Sequence, residues 1–368
     1  MFSSFLLLEL VIRIYFSIRV DSDVFLWGTQ WHRDRWQQSY LRGQNVFEHE
    51  NTQSGYSKYF PYQKRSDVDS SGKPFEVTIN GKGFRGADYA IPKSPGTLRI
   101  LTLGASSTFG FGNRDDETYP FLLEQLLNER LAESSCGDYQ RAEVINLGIP
   151  HLDSEQVASL FAVEGLQFNP DVVTVYSGYN NTRGLGQSKL LGRSSRYLLV
   201  FNVIRTLRQQ KAQASELLIQ EESVIRVQSF IGGLNKILKV AKERDIALLP
   251  ITQQVRALSI EEIDEHQISY AGEVAIHHQK LDESGEVTLL EGKILIHESL
   301  SNALRRWSQQ NNLPLIDGVE LLDGHRYLLN TYVHLAPLAN ELLALAIADE
   351  LATQFNCPQL ATKIPGLN

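Results

Sequence analysis

Sulfur ligands are scarce in this chain: its 368 residues include two cysteines, Cys136 and Cys357. Neither stands in a Cys-x-x-Cys pair or beside a histidine, which excludes the compact thiolate sites that hold zinc. They are either one disulfide of an exported chain or two unrelated thiols, because sequence alone gives no distance between them. Excess positive charge is missing as well. Asp and Glu outnumber Lys and Arg by 43 to 35, a net charge of −8. That balance lacks the basic stripe nucleic-acid binding needs and suits a soluble protein acting on something small or neutral. An unbroken apolar run is also missing. The opening "MFSSFLLLELVIRIYFSIRV" is interrupted by Glu9 and Arg13, whereas a membrane span needs about 20 apolar residues. It has neither the basic start nor the small-residue cleavage site of a signal peptide. Residues 1–20 therefore read either as an amphipathic helix packed on the domain, with Glu9 and Arg13 paired across one turn, or as the tail of a membrane anchor.

What is present is a core. Apolar residues make up 42% of the chain, enough for one large domain with additions or for two. Residues 21–96 are rich in aromatics, glycine and charge with weak periodicity, and read as a short-stranded N-terminal extension. From residue 97 the pattern becomes regular. Apolar, β-branched runs at 97–103, 142–147, 171–176, 245–251 and 313–317 alternate with helical stretches at 119–133, 154–167, 231–244, 294–310 and 336–354. Strand followed by helix, repeated, predicts a three-layer α/β/α sandwich with a central parallel sheet over residues 97–368. Two stretches exceed a minimal unit. Residues 184–222 read as polar helix with Lys, Arg and Gln, and residues 256–290 as an acidic surface flap. The flap's His277-His278 pair is weighed as a metal site and set aside in favour of a solvated segment.

The chemistry gathers where strands end. "RILTLGASSTFGFG" closes an apolar strand in Gly104-Ala105-Ser106-Ser107-Thr108. A P-loop is excluded, since Gly104 and Gly110 are one residue too far apart and no Lys follows. The dinucleotide fingerprint G-x-G-x-x-G is absent, and the G-x-S-x-G elbow fails at Thr108. In an open parallel sheet ligands bind beyond the carboxyl ends of the strands, which places Ser106 in reach of a substrate as a nucleophile. The next two strands end in "VINLGIPHLDS" and "VVTVYSGYNNT", bringing Gly148 and Asn180 to the same rim. The amides of Ser106 and Gly148 with the Asn180 side chain would make three donors for an oxyanion. His334, just before the last helix, is the candidate general base.

These four blocks resemble those of the SGNH/GDSL hydrolase family. "GASST" is similar to its first block, which carries the nucleophilic serine. "NLGIPHLDS" resembles the second, whose glycine donates to the oxyanion, and "GYNN" the third, whose asparagine donates as well. "VHLAPLANELLA" resembles the last, with the catalytic histidine. The likeness spans about residues 97–355. It implies an acyl-enzyme esterase acting on an acetylated glycan, a lipid or a related ester, without metal or cofactor. The lead-in "LELVIR" and "NGKGFRG" are similar to those of membrane-anchored or exported bacterial members, implying a location outside the cytoplasm. Ala105 and Asn181 depart from the family pattern at variable places. Thr331 departs at a significant one, where the family has an Asp three residues before the histidine. An uncharged partner orients an imidazole but stabilises its cation less, so Asp317 or Asp323 is considered as a substitute. Two alternatives stay open: an O-acyltransferase acting on a cell-surface glycan, and a binding or assembly protein that kept the fold.

Overall fold

The computed structural model describes residues 2–19, 46–48, 58–59, 61–62, 64–68, 73–133, 136–183, 185, 213–257 and 268–357. Helix α1 (Phe2–Arg19) carries the expected pair, Arg13 donating to Glu9 at 2.8 Å. Its apolar side chains, Leu7, Leu8, Leu10, Val11, Ile14 and Tyr15, face outward. Among the described residues no helix is long and apolar enough to cross a membrane. Two antiparallel pairs follow, β1 (Val46–Glu48) with β2 (Lys58–Tyr59) and β3 (Lys64–Val68) with β4 (Pro74–Thr78). Tyr59, Phe75, Val77 and Ile79 pack as one cluster with Phe109 of the main unit.

The main unit then runs β5 (Thr97–Gly104), the one-turn α2 (Ser106–Phe109), α3 (Tyr119–Glu133), β6 (Arg141–Gly148), α4 (Ser154–Val163) and β7 (Val172–Tyr176). It continues with β8 (Gln213–Ser215), α5 (Glu216–Glu243), β9 (Ala247–Ile251), α6 (Tyr270–Ser284), β10 (Glu286–Thr288) and α7 (Leu289–Gln310), and ends with α8 (Gly318–Leu321) and α9 (Pro337–Gln354). The sheet is parallel in the order β6-β5-β7-β9. Every residue of β5 and β7 is buried, as expected of central strands covered on both faces. On one face Leu98, Ile100, Val172 and Leu249 pack under α3 and α9. On the other, Leu101, Leu103, Val173, Val175 and Leu248 meet α4, α5 and the end of α7. This is the three-layer α/β/α arrangement that the alternating pattern predicts.

Three segments differ from the sequence reading. Residues 313–317 form no strand; Ile316 alone bridges to Ile251. Pro314 has no N–H to donate, and Asp317 already caps α8 by accepting from Glu320. The second half of the supposed flap is α6, β10 and the start of α7. Tyr270, Val274, His277 and Leu281 give α6 a buried stripe. His277 lies 3.7 Å from Glu273 inside that stripe, while His278 pairs with Glu298 at 2.9 Å on the surface. The polar segment 184–222 falls mostly outside the described residues, but its last part opens the 28-residue α5.

Strand β6 lies at the sheet edge, where unpaired backbone invites aggregation. Side chains occupy it instead. Asn128 of α3 both donates to and accepts from Ala142 at 2.9 Å. Glu124 accepts from the Val144 amide at 2.6 Å, and Tyr89 donates to the Val144 carbonyl at 3.1 Å. Cys136, just before β6, is disulfide-bonded to Cys357, just after α9, with Cα atoms 5.7 Å apart. The bond closes a loop of more than two hundred residues that holds three of the four sheet strands, β6, β7 and β9. Replacing both cysteines with serine should lower the unfolding free energy by about 2–5 kcal/mol. Denaturant unfolding with and without reductant measures this. Wild type in reductant should match the double variant, and an unchanged midpoint would show the bond to be dispensable.

Candidate active site

In register, Gly104 lies beside Gly148 on one side and Tyr176 on the other, and Tyr176 beside Ile251. Four strand ends therefore share one rim. At Gly104 there is no room for a side chain: a Cβ would stand 2.0 Å from Thr108 Oγ1 and 2.5 Å from the Tyr176 carbonyl. The chain turns there straight into α2, leaving Ser106 half-buried at its first position. The first amides of a helix have no carbonyl within it to donate to, so the Ser106 N–H points out of the turn.

His334 arrives from the far end of the sequence. Its Nε2 is 2.8 Å from Ser106 Oγ, and its Nδ1 is 2.7 Å from Thr331 Oγ1. The Phe111 ring lies against the imidazole, centroids 4.7 Å apart. The hairpin carrying His334 is fastened by Asn330 N–H donating to the His334 carbonyl at 2.7 Å and by the Leu329–Leu335 bridge. Asn113 holds it from α2's side by donating to the Leu335 carbonyl at 2.8 Å. The two aspartates considered as substitutes are committed elsewhere. Asp317 accepts from Arg305 and Thr252, each at 2.7 Å, and Asp323 accepts from the Tyr270 amide at 2.6 Å.

Two other residues are expected as donors, Asn180 and Gly148. Asn180 stands on the rim in a 3-10 turn, Tyr179–Thr182. Its Nδ2 donates one hydrogen to the Leu152 carbonyl at 2.8 Å, which orients the amide and leaves its second hydrogen. Gly148 corrects the reading. It is on the rim, but its amide donates to Asn146 Oδ1 at 2.9 Å, and a Cβ there would lie 2.1 Å from the Phe109 nitrogen. Glycine is needed for close packing of β6 on α2, and its N–H is already used.

Sequence reasoning missed Ser107 and Gln253. Ser107 is buried, and its hydroxyl donates to the Val333 carbonyl at 2.8 Å and accepts from Gln253 Nε2 at 3.0 Å. Gln253 Oε1 accepts from the Tyr179 amide at 3.0 Å. These two side chains thus join the residues next to Ser106, His334 and Asn180. Behind them His297 is hydrogen-bonded to the Gln253 backbone and, through Nδ1, to the Tyr270 hydroxyl at 2.7 Å. Burial pushes its pKa down to about 4, so it stands neutral behind the rim. The available signal was position: Gln253 follows β9, the fourth strand ending on this rim. His151, in the turn after β6, was missed too. It holds a left-handed backbone, φ 76°, with no glycine or asparagine to announce it.

No family model matches the sequence, and no curated protein does. Solved structures do match in outline. An acetyl xylan esterase shares 16% identity and a TM-score of 0.41, covering 68% of this chain and 98% of its own. A lipase/acylhydrolase from Enterococcus faecalis shares 17%, with a TM-score of 0.38 and coverages of 70% and 96%. A GDSL-like lipase from Bacteroides thetaiotaomicron shares 11%, with 0.38, 70% and 89%. The chain is similar to GDSL-type hydrolases. At these identities and scores the likeness is one of outline, and any functional reading rests on the site itself.

The Ser107–Gln253 link has a direct test. Gln253→Met keeps the volume but leaves the Tyr179 amide and the Ser107 hydroxyl short of a partner. Stability should fall by about 1–3 kcal/mol, and the Tyr179 amide should lose protection from hydrogen exchange. Unchanged protection at Tyr179 would contradict the link.

Proposed function

We propose that the protein is an ester hydrolase of the SGNH/GDSL kind, with Ser106 as nucleophile and His334 as general base. One observation carries the reading: Ser106 Oγ and His334 Nε2 lie 2.8 Å apart although 228 residues separate them in sequence. With Nδ1–H donating to Thr331 Oγ1, Nε2 is left as acceptor for the serine proton. Ser106 Oγ then attacks the ester carbonyl while His334 takes its proton. The tetrahedral intermediate collapses to an acyl-serine, and the same proton passes to the departing alcohol oxygen. Water, deprotonated by His334, attacks the acyl-serine, and Ser106 recovers its proton as the carboxylic acid leaves. The Ser106 amide and the second hydrogen of Asn180 Nδ2 supply the oxyanion donors, and each such donor is typically worth about 10²–10³ in kcat. Gly148 is not among them.

Thr331 sets the level of activity. A hydroxyl orients the ring but brings no charge to the imidazolium of the transition state. If an acceptor hydroxyl replaced water, the same acyl-serine would support transfer. The scaffold without turnover would be the binding-protein alternative. The Cys136–Cys357 disulfide supports an oxidising compartment outside the cytoplasm. The substrate class offered is an acyl ester of a glycan or lipid.

Steady-state hydrolysis of short-chain esters tests the reading. Ser106→Ala and His334→Ala should each reduce kcat to background. The double variant should be no worse than either single one, because the two act as a unit. Thr331→Asp should raise kcat, by about tenfold if the carboxylate takes the threonine's place, which corresponds to about 1.4 kcal/mol. Turnover that survives Ser106→Ala would overturn the assignment, and absence of any turnover in wild type and Thr331→Asp alike would favour the binding-protein alternative.

A further inference from the structure

The chain is acidic overall, but the rim beside Asn180 is not. Arg183 follows directly on the turn that carries Asn180, and its own amide closes that turn by donating to the Asn180 carbonyl at 3.3 Å. Its guanidinium is held by His151, with Nη2 2.6 Å from His151 Nδ1 and Nη1 donating to the His151 carbonyl at 3.3 Å. The contact is favourable with His151 Nδ1 as the acceptor, which keeps the positive charge on Arg183. The left-handed backbone at His151 is what turns its carbonyl and ring toward the same guanidinium.

A second cation stands nearby. A Cβ on Gly292 would lie 3.2 Å from Leu185, so the start of α7 packs against the chain just after Arg183, and Lys293 is the next residue of that helix. Burial first, then the charges of Arg183 and Arg226, hold Lys293 below the usual lysine range; burial likewise lowers Arg183. Arg226 has a carboxylate of its own, Glu222 at 2.6 Å, and donates to the Asn181 carbonyl at 2.9 Å. Among the described residues neither Arg183 nor Lys293 has a carboxylate at ion-pair distance. Asp153 attracts Arg183 from further off, but its side chain is engaged in capping α4, accepting from the Gln156 amide at 3.0 Å. Arg183 is exposed and Lys293 partly buried; like charges on one stretch of surface repel, and an anion held between them relieves that repulsion.

We propose that Arg183, braced by His151 and backed by Lys293, forms a subsite for an anionic group on the ester substrate. The group is an oxyanion such as a carboxylate or phosphate, and it lies next to the ester bond that Ser106 attacks. Arg183 presents the donors that match such a group in two-point contact, and Lys293 contributes a point charge. The proposal rests on the hydrolase reading and narrows it: the substrate is an acidic glycan or an anionic lipid, not the neutral molecule that the overall charge suggests.

The experiment compares three acyl esters: neutral 1-naphthyl acetate, an O-acetylated oligogalacturonide carrying carboxylates, and a short-chain phosphatidylglycerol carrying phosphate. Wild type should show the higher kcat/KM on one of the anionic esters, and which one identifies the source of the anion. Arg183→Gln and Lys293→Gln should each lower the anionic-to-neutral selectivity by about tenfold, mainly through KM. Raised salt should erode the same selectivity. A readout independent of turnover uses Ser106→Ala protein and calorimetric binding of the deacetylated oligogalacturonide and of the phosphatidylglycerol. Binding of one of them that weakens about tenfold when Arg183→Gln is added supports the subsite even if no ester is ever hydrolysed, in which case only the hydrolase reading falls. Turnover and binding that are indifferent to both substitutions would overturn the subsite while leaving hydrolysis of the neutral ester untouched.

Discussion

The hydroxyl of Ser107 is the point on which the site hangs. It is buried, donates to the carbonyl beside His334, and accepts from Gln253, which in turn holds the turn that carries Asn180. Three segments far apart in sequence are thereby fixed to the residue next to Ser106. The bonds are short and shielded from water, and breaking one strands a buried polar group at a cost of about 1–3 kcal/mol. The proposed reaction needs the base placed to within about 0.5 Å of its working position. A hydrogen-bonded core residue supplies that placement better than a surface contact, because water does not compete for its partners.

Behind this clamp lies a run of buried polar groups that pair with one another. Gln253 is hydrogen-bonded to His297, His297 to Tyr270, and Tyr270 lies under the Arg326 guanidinium, which is paired with the fully buried Glu273. At the opposite end of the sheet Arg99 is likewise fully buried. It bonds Glu143 through Nε at 2.8 Å and the Phe168 carbonyl through Nη1 at 2.7 Å. Buried charges of this kind are weak contributors to stability when intact and expensive when broken. They fix the arrangement of helices around the sheet, and so the places where the strand ends meet.

Much of this was legible in the sequence, for physical reasons. Runs such as Val172–Tyr176 and Thr97–Gly104 are buried on both faces and are mostly apolar and β-branched, so their strands and the parallel sheet follow from pattern alone. Ser106 and Asn180 stand out because strand ends in a parallel sheet point to one rim, and His334 by its place before the last helix; the structure brings Ser106 and His334 within 2.8 Å. Gly148 was misjudged on the same logic: position put it on the rim, but only coordinates show its amide turned to Asn146. Residues 313–317 look like a strand because the run is apolar, yet Pro314 and the cap at Asp317 leave a single bridge. Helix α6 was hidden because His277 sits in its buried stripe while acids crowd the rest. Gln253 offered only its position after β9, and His151 no sign at all, since their roles depend on contacts with Ser107 and Arg183 that no local pattern encodes.

The central claim is that Ser106, and not its neighbour, is the reactive hydroxyl. A fluorophosphonate probe followed by peptide mass spectrometry tests it most directly, because the two serines lie in one peptide and fragment ions separate them. The account predicts a single adduct on Ser106 that disappears in His334→Ala and in Ser106→Ala, with Ser107 unlabelled throughout. An adduct on Ser107, or labelling that persists without His334, would contradict it.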